Sequence, residues 1–428
     1  VGAGGGGGRG GGDGGGGGSG LEGSLRNAGG KRGFGGQVVD TAAGAHLWAE
    51  NYERTFNPET VFELQDDLVP RIVSTVADMN GILPRSMSEG VRSRAPEQLS
   101  PYEAVLRAFA YFERVTPEEL AAARSALELA VRKAPAYADA SAMLALLCVQ
   151  DYAQGFNLQA DSLARGLAAA RRAVETASSN PLAYFSLAQA LFFQKEIESF
   201  RNAAERTVAL NPADGNSIAF LGELLTYSGD RERGLALAER AKQLNPNHPG
   251  WYWYTNFYDA YRQGNYRGAL GFALQVNLPS HWGAHVMVAA ACGQLGDRDA
   301  AGRALRDLLK LRPDVAATVR KDTEKWWEPE YREHLIDGLR KAGLEVAGDL
   351  GMPGPASAPS PADTKSGKMR AAERFWVAVL PFKYGGDNTA LPALAEGLSE
   401  EICAGLSRFS YLRVLTGGWH RRCAARAP

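Results

Sequence analysis

The sequence predicts a mainly α protein: a superhelical solenoid of paired helices, with partial α/β segments at both termini. Three observations predict it. Pro212, Pro246, Pro279 and Pro313 close successive similar blocks at intervals of 34, 33 and 34 residues, the length of one helix-turn-helix unit. Inside those blocks apolar residues recur at helical spacing, and small residues stand where two helices must cross. Outside residues 97–345 the pattern changes to short apolar runs bounded by glycine, which is the mark of strands.

The blocks can be taken in order. In "HVMVAAACGQLGDRDAAGRALRDLLKLRP" Ala289 and Ala301 allow close helix approach, Gly296 makes the turn and Pro313 ends the second helix. In the block at 213–246 Gly222, Gly229 and Gly234 take the equivalent places, with Leu221 and Leu225 as core. Two more divergent blocks, 101–135 and 136–180, precede them. The helix in "EPEYREHLIDGLRKAGL", behind Trp326 and Trp327, reads as a cap that shields the last repeat.

At the N-terminus, 21 of the first 36 residues are Gly, which maximises chain entropy and offers no side chain to bury, so residues 1–20 are expected to be disordered. Val38 and Val39, a turn over 41–45 and "HLWAENYE" then predict a hairpin. A helix follows, with Thr60 and Glu63 as a capping box, Val61, Leu64, Leu68, Ile72 and Val76 on one face, and a bend at Pro70. Beyond the repeats, residues 346–373 are rich in Pro, Ala, Ser and Gly and predict a flexible linker. "FWVAVLPF" at 375–382 reads as a buried strand. Leu391, Leu394, Leu398, Ile402 and Leu406 form a helical stripe, and "YLRVL" at 411–415 reads as a second strand, so together they suit a parallel crossover unit. Residues 416–428 are expected to be a disordered tail.

The repeat blocks resemble the tetratricopeptide repeat. "VAVLPF…LAEGLSEEICAGLSRFSYLRVL" resembles the opening of the TolB-like domain of bacterial proteins that combine it with such repeats. "LEGSLR" at 21–26, with "QVVDTAAGAHLWAENYERTFNPETVFELQDDLVPRIV", resembles its close. The resemblance spans most of residues 21–415 and implies a tetratricopeptide-repeat superhelical solenoid at 97–345. It also implies the closing half of a TolB-like α/β domain at 21–80 and its opening half at 374–415, the reverse of the family's order. "KRGFGG" stands where the family runs a strand into Gln37, and "TGGWHRRCAARAP" replaces the family's continuation. Two explanations compete. A fragment bounded by frame or assembly errors in GC-rich DNA would leave such ends, whereas a working circular permutant would pair 375–415 with 21–76. Such arrays commonly accompany a class III adenylate or guanylate cyclase domain or a winged-helix DNA-binding domain, and neither is visible here.

Composition narrows the function. The 428 residues carry a formal net charge of −1 with 22% charged and 45% hydrophobic residues, so nothing attracts the chain to phosphate backbones or anionic lipid. The four cysteines lie far apart, without metal-ligand or disulfide-framework spacing, and fit a reducing cytoplasm. No apolar run reaches the roughly 20 residues of a membrane span. No phosphate-binding loop, HExxH, GxSxG or EF-hand pattern occurs, and the GxGxxG matches in the glycine tract follow no strand. The reading is therefore a non-catalytic chain without cofactor or metal.

His281, His285 and Cys292 come nearest to metal spacing, but His285 and Cys292 fall on the face expected to be buried between helices. Asp387 and Asn388 follow the first C-terminal strand, on the edge where α/β sheets often bind ligands. The stronger candidate is the concave groove that first helices of such arrays line, a surface that receives protein or peptide partners. In "GWYWYTNFYDAYRQGNY" a register with Trp253 and Phe257 in the core turns Trp251, Tyr254, Tyr258 and Tyr261 toward that groove. Phe185, Phe192 and Glu223 hold similar positions in earlier repeats. The alternative for these aromatics is the core itself. The expected function is a protein-interaction and regulatory scaffold. The alternatives are the regulatory arm of a class III cyclase or an accessory region of a winged-helix regulator.

Overall fold

The computed structural model describes residues 18–28, 31–41, 43–55, 61–346, 376–385 and 391–415. Expectations for residues 1–17, 347–373 and 416–428, for the Thr60–Glu63 cap and for Asp387 and Asn388 lie outside the described residues. The chain divides into two compact units. One comprises residues 57–369 with 404–411, the other residues 1–56, 370–403 and 412–428.

The first unit is helical. Helices α1 (Val61–Ala77) and α2 (Ile82–Glu89) lead into six antiparallel pairs, and α1 runs through Pro70 without a break. The pairs are α3/α4 (Pro101–Arg114, Pro117–Lys133), α5/α6 (Ala138–Ala153, Ser162–Thr176), α7/α8 (Pro181–Phe193, Ile197–Leu210), α9/α10 (Gly215–Tyr227, Arg231–Leu244), α11/α12 (Tyr254–Arg262, Tyr266–Val276) and α13/α14 (Trp282–Leu295, Arg298–Leu311). Helices α15 (Val315–Glu324) and α16 (Pro329–Lys341) complete it. This is the repeat solenoid that the proline spacing predicts.

Local chemistry starts and stops these helices. Ser100 and Glu103 exchange side chain to backbone hydrogen bonds of 3.2 and 2.8 Å in a full capping box, and Asn180 and Asp297 cap α7 and α14. Gly296 ends α13 at φ 72°, a conformation that costs a side-chain-bearing residue energy. At the α9/α10 crossing a Cβ on Gly222 would lie 2.7 Å from the Gly234 carbonyl and 3.0 Å from the Ala238 nitrogen, so the two helices approach only because both positions are glycine.

First helices are buried on nearly every side. In α9 all residues but Phe220 are buried, whereas its partner α10 buries only Gly234, Ala238, Ala241 and Leu244. A first helix packs on its own partner and on both neighbouring repeats, so its sequence loses amphipathic contrast. Helix α16 lies on α13, with Gly338 against the Ala290 carbonyl at the crossing, and so covers the last repeat as expected of a cap. Residues 404–411 also belong to this unit. Tyr411 is buried, donates to the Ala77 carbonyl at 2.6 Å, accepts from Tyr102 at its own carbonyl at 3.1 Å, and packs its ring 4.9 Å from Phe109.

The second unit is built on a sheet. Its strands are β1 (Gly18–Ala28), β2 (Lys31–Asp40), β3 (His46–Thr55), β4 (Trp376–Val379), β5 (Lys383–Gly385) and β6 (Arg413–Leu415). The order is β3-β2-β1-β4-β6, with β5 also pairing β1. β1 and β2 are antiparallel, Leu21 opposite Val38 and Leu25 opposite Phe34, while β1–β4 and β4–β6 are parallel. Strands from both ends of the chain thus share one sheet, and helix α17 (Leu391–Leu406) runs between β5 and β6. Two details differ from the sequence reading. β1 begins at Gly18, inside the tract expected to be without structure, and "KRGFGG" is strand, because pairing on both sides holds a glycine run that has little strand preference of its own.

Candidate functional site

The concave side of the helical unit is not an open groove. The turn after α15 carries "KWW" across it: Lys325 Nζ donates to the Tyr152 carbonyl at 2.9 Å, and Lys195 Nζ donates to the Lys325 carbonyl at 2.7 Å. Trp326 sits 4.8 Å from Phe193, ring to ring, and Trp327 lies 5.9 Å from Tyr227 and 5.3 Å from Tyr331. The sequence reading takes the two tryptophans only as the residues that precede the cap helix. In the structure they reach α7 and α9, and Lys325 reaches α5, helices that are distant in the chain and adjacent only in the solenoid.

Beneath this strap the first helices enclose a cavity of about 200 Å³. Helix α9 supplies Asn216, Phe220, Glu223 and Tyr227, whose spacing of four, three and four residues makes a single stripe along one face. Helix α7 adds Phe185 and Gln189 one turn apart, and Trp251 and Tyr254 come from the next repeat. Trp282, Val286 and Met287 of α13, His281 before it, and Trp326 and Trp327 of the strap line it further, and Met79, Phe112 and Val115 join from the start of the helical unit. Phe220 sits 6.1 Å from Phe185 and 6.0 Å from Trp251, both edge to face, so three repeats present one continuous aromatic lining.

Polar groups also line the space, Asn80, Gln150, Gln154, Asn216 and Thr323 among them. Glu223 is buried and makes no ion pair among the described residues; burial pushes its carboxyl up to about 8, against a partial offset from the Tyr227 hydroxyl. Gln189 is 2% exposed and its Oε1 has no hydrogen-bond partner. His281 joins a polar chain: Nδ1 lies 3.1 Å from the Tyr254 hydroxyl and Nε2 3.5 Å from Gln154 Oε1, while Gln154 Nε2 donates to Gln150 Oε1 at 3.3 Å. Burial, with His285 nearby, pushes His281 down to about 4, so the ring is neutral near pH 7. Nε2 then donates to Gln154 and Nδ1 accepts from Tyr254, which is the one tautomer these partners allow.

Phe185, Glu223, Trp251 and Tyr254 thus line the cavity together. Phe192, Tyr258 and Tyr261 do not, and the register that aims them at the groove is corrected here. Phe192 packs 5.5 Å from Phe200, and Tyr258 lies 4.0 Å from Tyr331 and 4.8 Å from Tyr227. Tyr261 packs 5.4 Å from Phe257 and donates to the His334 carbonyl at 3.2 Å. The reason is position along the axis: Tyr254, Tyr258 and Tyr261 share one face of α11, but Tyr258 and Tyr261 stand one and two turns further along, where Tyr331 and His334 of α16 pack against them. Tyr261→Ala should therefore cost about 3–5 kcal/mol of stability in urea denaturation, and an unchanged midpoint would contradict this placement.

His285 also departs from expectation. It is only half-buried and its Nε2 bonds the Pro279 carbonyl at 2.9 Å, whereas Cys292 is buried. Among the described residues no group of three His, Cys, Asp or Glu side chains could hold a metal ion, and no helix is long and apolar enough to cross a membrane. Sequence reasoning did not single out Gln189, and it named His281, Trp326 and Trp327 in other roles and not as walls of this cavity. Only the α9 stripe left a readable signal, its 216-220-223-227 spacing.

No family model matches the chain. A Rhizobium meliloti (strain 1021) protein named "Putative adenylate cyclase 3" is 29% identical over 187 residues, 43% of this chain. The chain spans 30% of that relative's length. Among solved structures, the hetero-tetramer Cut9-Hcn1 matches 66% of this chain and 50% of its own at 14% identity and TM-score 0.42. YrrB, described as a TPR protein with an unusual peptide-binding site, matches 45% and 94% at 20% identity and TM-score 0.29. The pilF protein of Pseudomonas aeruginosa matches 54% and 94% at 16% identity and TM-score 0.36.

Proposed function

We propose that this chain is a non-catalytic interaction and regulatory module whose solenoid cavity receives one side chain or chain end of a protein partner. The observation that carries this reading is the cavity: three successive repeats and the Trp326–Trp327 strap converge on one aromatic space that contains a buried acid with no ion-pair partner among the described residues, bonded to the Tyr227 hydroxyl, and an amide oxygen, Gln189 Oε1, with no hydrogen-bond partner among them. Native interiors rarely leave a buried polar atom such as Gln189 Oε1 unsatisfied without a use for it. The site's geometry suits insertion of a single group better than an extended strand, because the strap crosses the concave side.

A second reading follows from the Rhizobium meliloti relative, whose name is that of an adenylate cyclase. On it, the chain is the regulatory region of a class III nucleotide cyclase, and the sheet unit with strands from both chain ends is the TolB-like domain. Both readings place ligand recognition in the repeats and assign no catalysis to them.

The test uses short capped tripeptides that differ in the central residue. At least one class should saturate a change in fluorescence of the four cavity tryptophans. Gln189→Trp, which fills the space, should abolish that change while the protein keeps its melting temperature. Absence of saturation with every peptide would sink the reading. Cyclic-nucleotide formation from ATP or GTP should be nil, and measurable turnover would show that this chain is itself a catalyst.

A further inference from the structure

The chemical class of the guest can be taken further, on the premise that the cavity is a binding site. Its one ionisable acid, Glu223, stands one turn from Phe220 and from Tyr227 on the same face of α9. Tyr254 of the next repeat is close enough for the carboxylate to raise its hydroxyl further above its ordinary value, beyond the effect of burial. No lysine, arginine or histidine pairs with Glu223 among the described residues. Of the other titratable groups on the wall, burial holds the Tyr227 and Tyr254 hydroxyls protonated, and His281 faces Tyr254 and Gln154 and carries no charge near neutral pH.

Once ionised, above its raised value of about 8, this carboxylate has the Tyr227 hydroxyl as a hydrogen-bond partner but no cation among the described residues. Buried charges are ordinarily paired, and removing one from water without a partner is costly. The surrounding lining is suited to supply more than the counter-charge, since the faces of Phe185, Phe220, Trp251 and Tyr254 carry the negative potential that attracts ammonium groups. The unpartnered Gln189 Oε1, 2% exposed, adds a hydrogen-bond acceptor to the same wall. An anion would meet Glu223 and aromatic faces with no cationic side chain in return. A neutral apolar group would leave the acid unpaired.

We propose that the cavity is a receptor for an alkylammonium group, with Glu223 as its counter-ion, the aromatic rings of three repeats as its cage and Gln189 as its hydrogen-bond acceptor. The group can come from a lysine side chain of a partner protein or from a free small amine. Both share the recognising chemistry.

Two pairs of probes that differ in charge separate the possibilities: capped Gly-Lys-Gly against capped Gly-norleucine-Gly, and choline against 3,3-dimethylbutan-1-ol. Titrations would be run by calorimetry at pH 8.5, where the acid is ionised. The charged member of at least one pair should bind about tenfold more tightly or better, and Glu223→Gln should erase that preference. Preference confined to the lysine pair identifies a protein partner, and preference confined to choline a free amine. Equal affinity within both pairs would overturn the ammonium assignment and leave the cavity standing as a site. Failure of all four probes to saturate, together with silence of the tripeptides above, would remove both. Glu223→Gln keeps shape and removes a buried ionisable group, so it should melt no lower than the parent at pH 8.5. Should Glu223→Gln misfold by circular dichroism, Glu223→Met, of similar length and without charge, takes its place, and an unchanged probe preference there would count against a counter-ion role.

Discussion

Deleting residues 370–428 is expected to destabilise both units severely, although the deleted segment lies beyond the repeats. In the helical unit it removes Leu406, Phe409 and Tyr411, which are 0%, 2% and 3% exposed, together with the 2.6 Å hydrogen bond to Ala77. Loss of one large buried side chain costs about 3–5 kcal/mol, so the sum rivals the roughly 5–15 kcal/mol that holds an ordinary domain. In the sheet unit it strips β4, β5 and β6, leaving one long side of β1 unpaired. The measurement is urea denaturation followed by circular dichroism, with Tyr411→Ala as the milder companion at about 3–5 kcal/mol. An unchanged midpoint for the truncated protein would mean that the terminal segment packs on nothing.

Stability of the helical unit should fall between about pH 5 and pH 8.5, the reverse of ordinary acid denaturation. Two buried acids set the direction. Asp78 is pushed up to about 7 by burial and then by the neighbouring Asp214, with hydrogen bonds from Ser74 Oγ (3.1 Å) and Asn80 N (2.9 Å) as partial offsets. Glu223 is pushed up to about 8 by burial. Asp214 is itself raised by burial despite hydrogen bonds from Ser217.

A carboxyl whose folded value is raised binds more protons folded than unfolded. Its contribution is therefore complete below the unfolded value near 4 and is lost as pH rises through 7 to 8. At about 1.4 kcal/mol for each tenfold difference in proton affinity, each group is worth on the order of 4 kcal/mol. At the acid end the opposite groups take over. Burial raises Glu103, but hydrogen bonds from Ser100 and Arg94 outweigh it and hold the carboxyl below its usual range, so that contribution fades as pH falls. A stability maximum near pH 5 follows, measured as melting temperature across pH. Asp78→Asn and Glu223→Gln should each flatten the alkaline decline, and a parent protein most stable at pH 8 would refute the assignment.

The readable part of this architecture is the part that repeats. Proline spacing, the Ala289, Ala301 and Gly222 crossings and the Gly296 turn are local requirements, and each left a residue of the needed size or conformation in the sequence. Phe185, Glu223, Trp251 and Tyr254 were reachable by extending the same periodicity. Phe192, Tyr258 and Tyr261 were not, because helical periodicity gives the angle between residues and not where along the axis a neighbour packs. Tyr258 shares the face of Tyr254, one turn further along, and there meets Tyr331 of the cap helix.

The amino-acid order alone determined the helix pairs, their lengths, their crossings and the strand character of the two ends. Only the tertiary structure decided that "KWW" at 325–327 spans the concave side, that Gly18–Ala28 pairs with Trp376–Val379, and that an acid near the middle of α9 has no cation beside it among the described residues. The physical reason is range. Caps, turns and crossings are settled within a few residues of chain, whereas a cavity exists only where side chains more than a hundred residues apart are brought to one space.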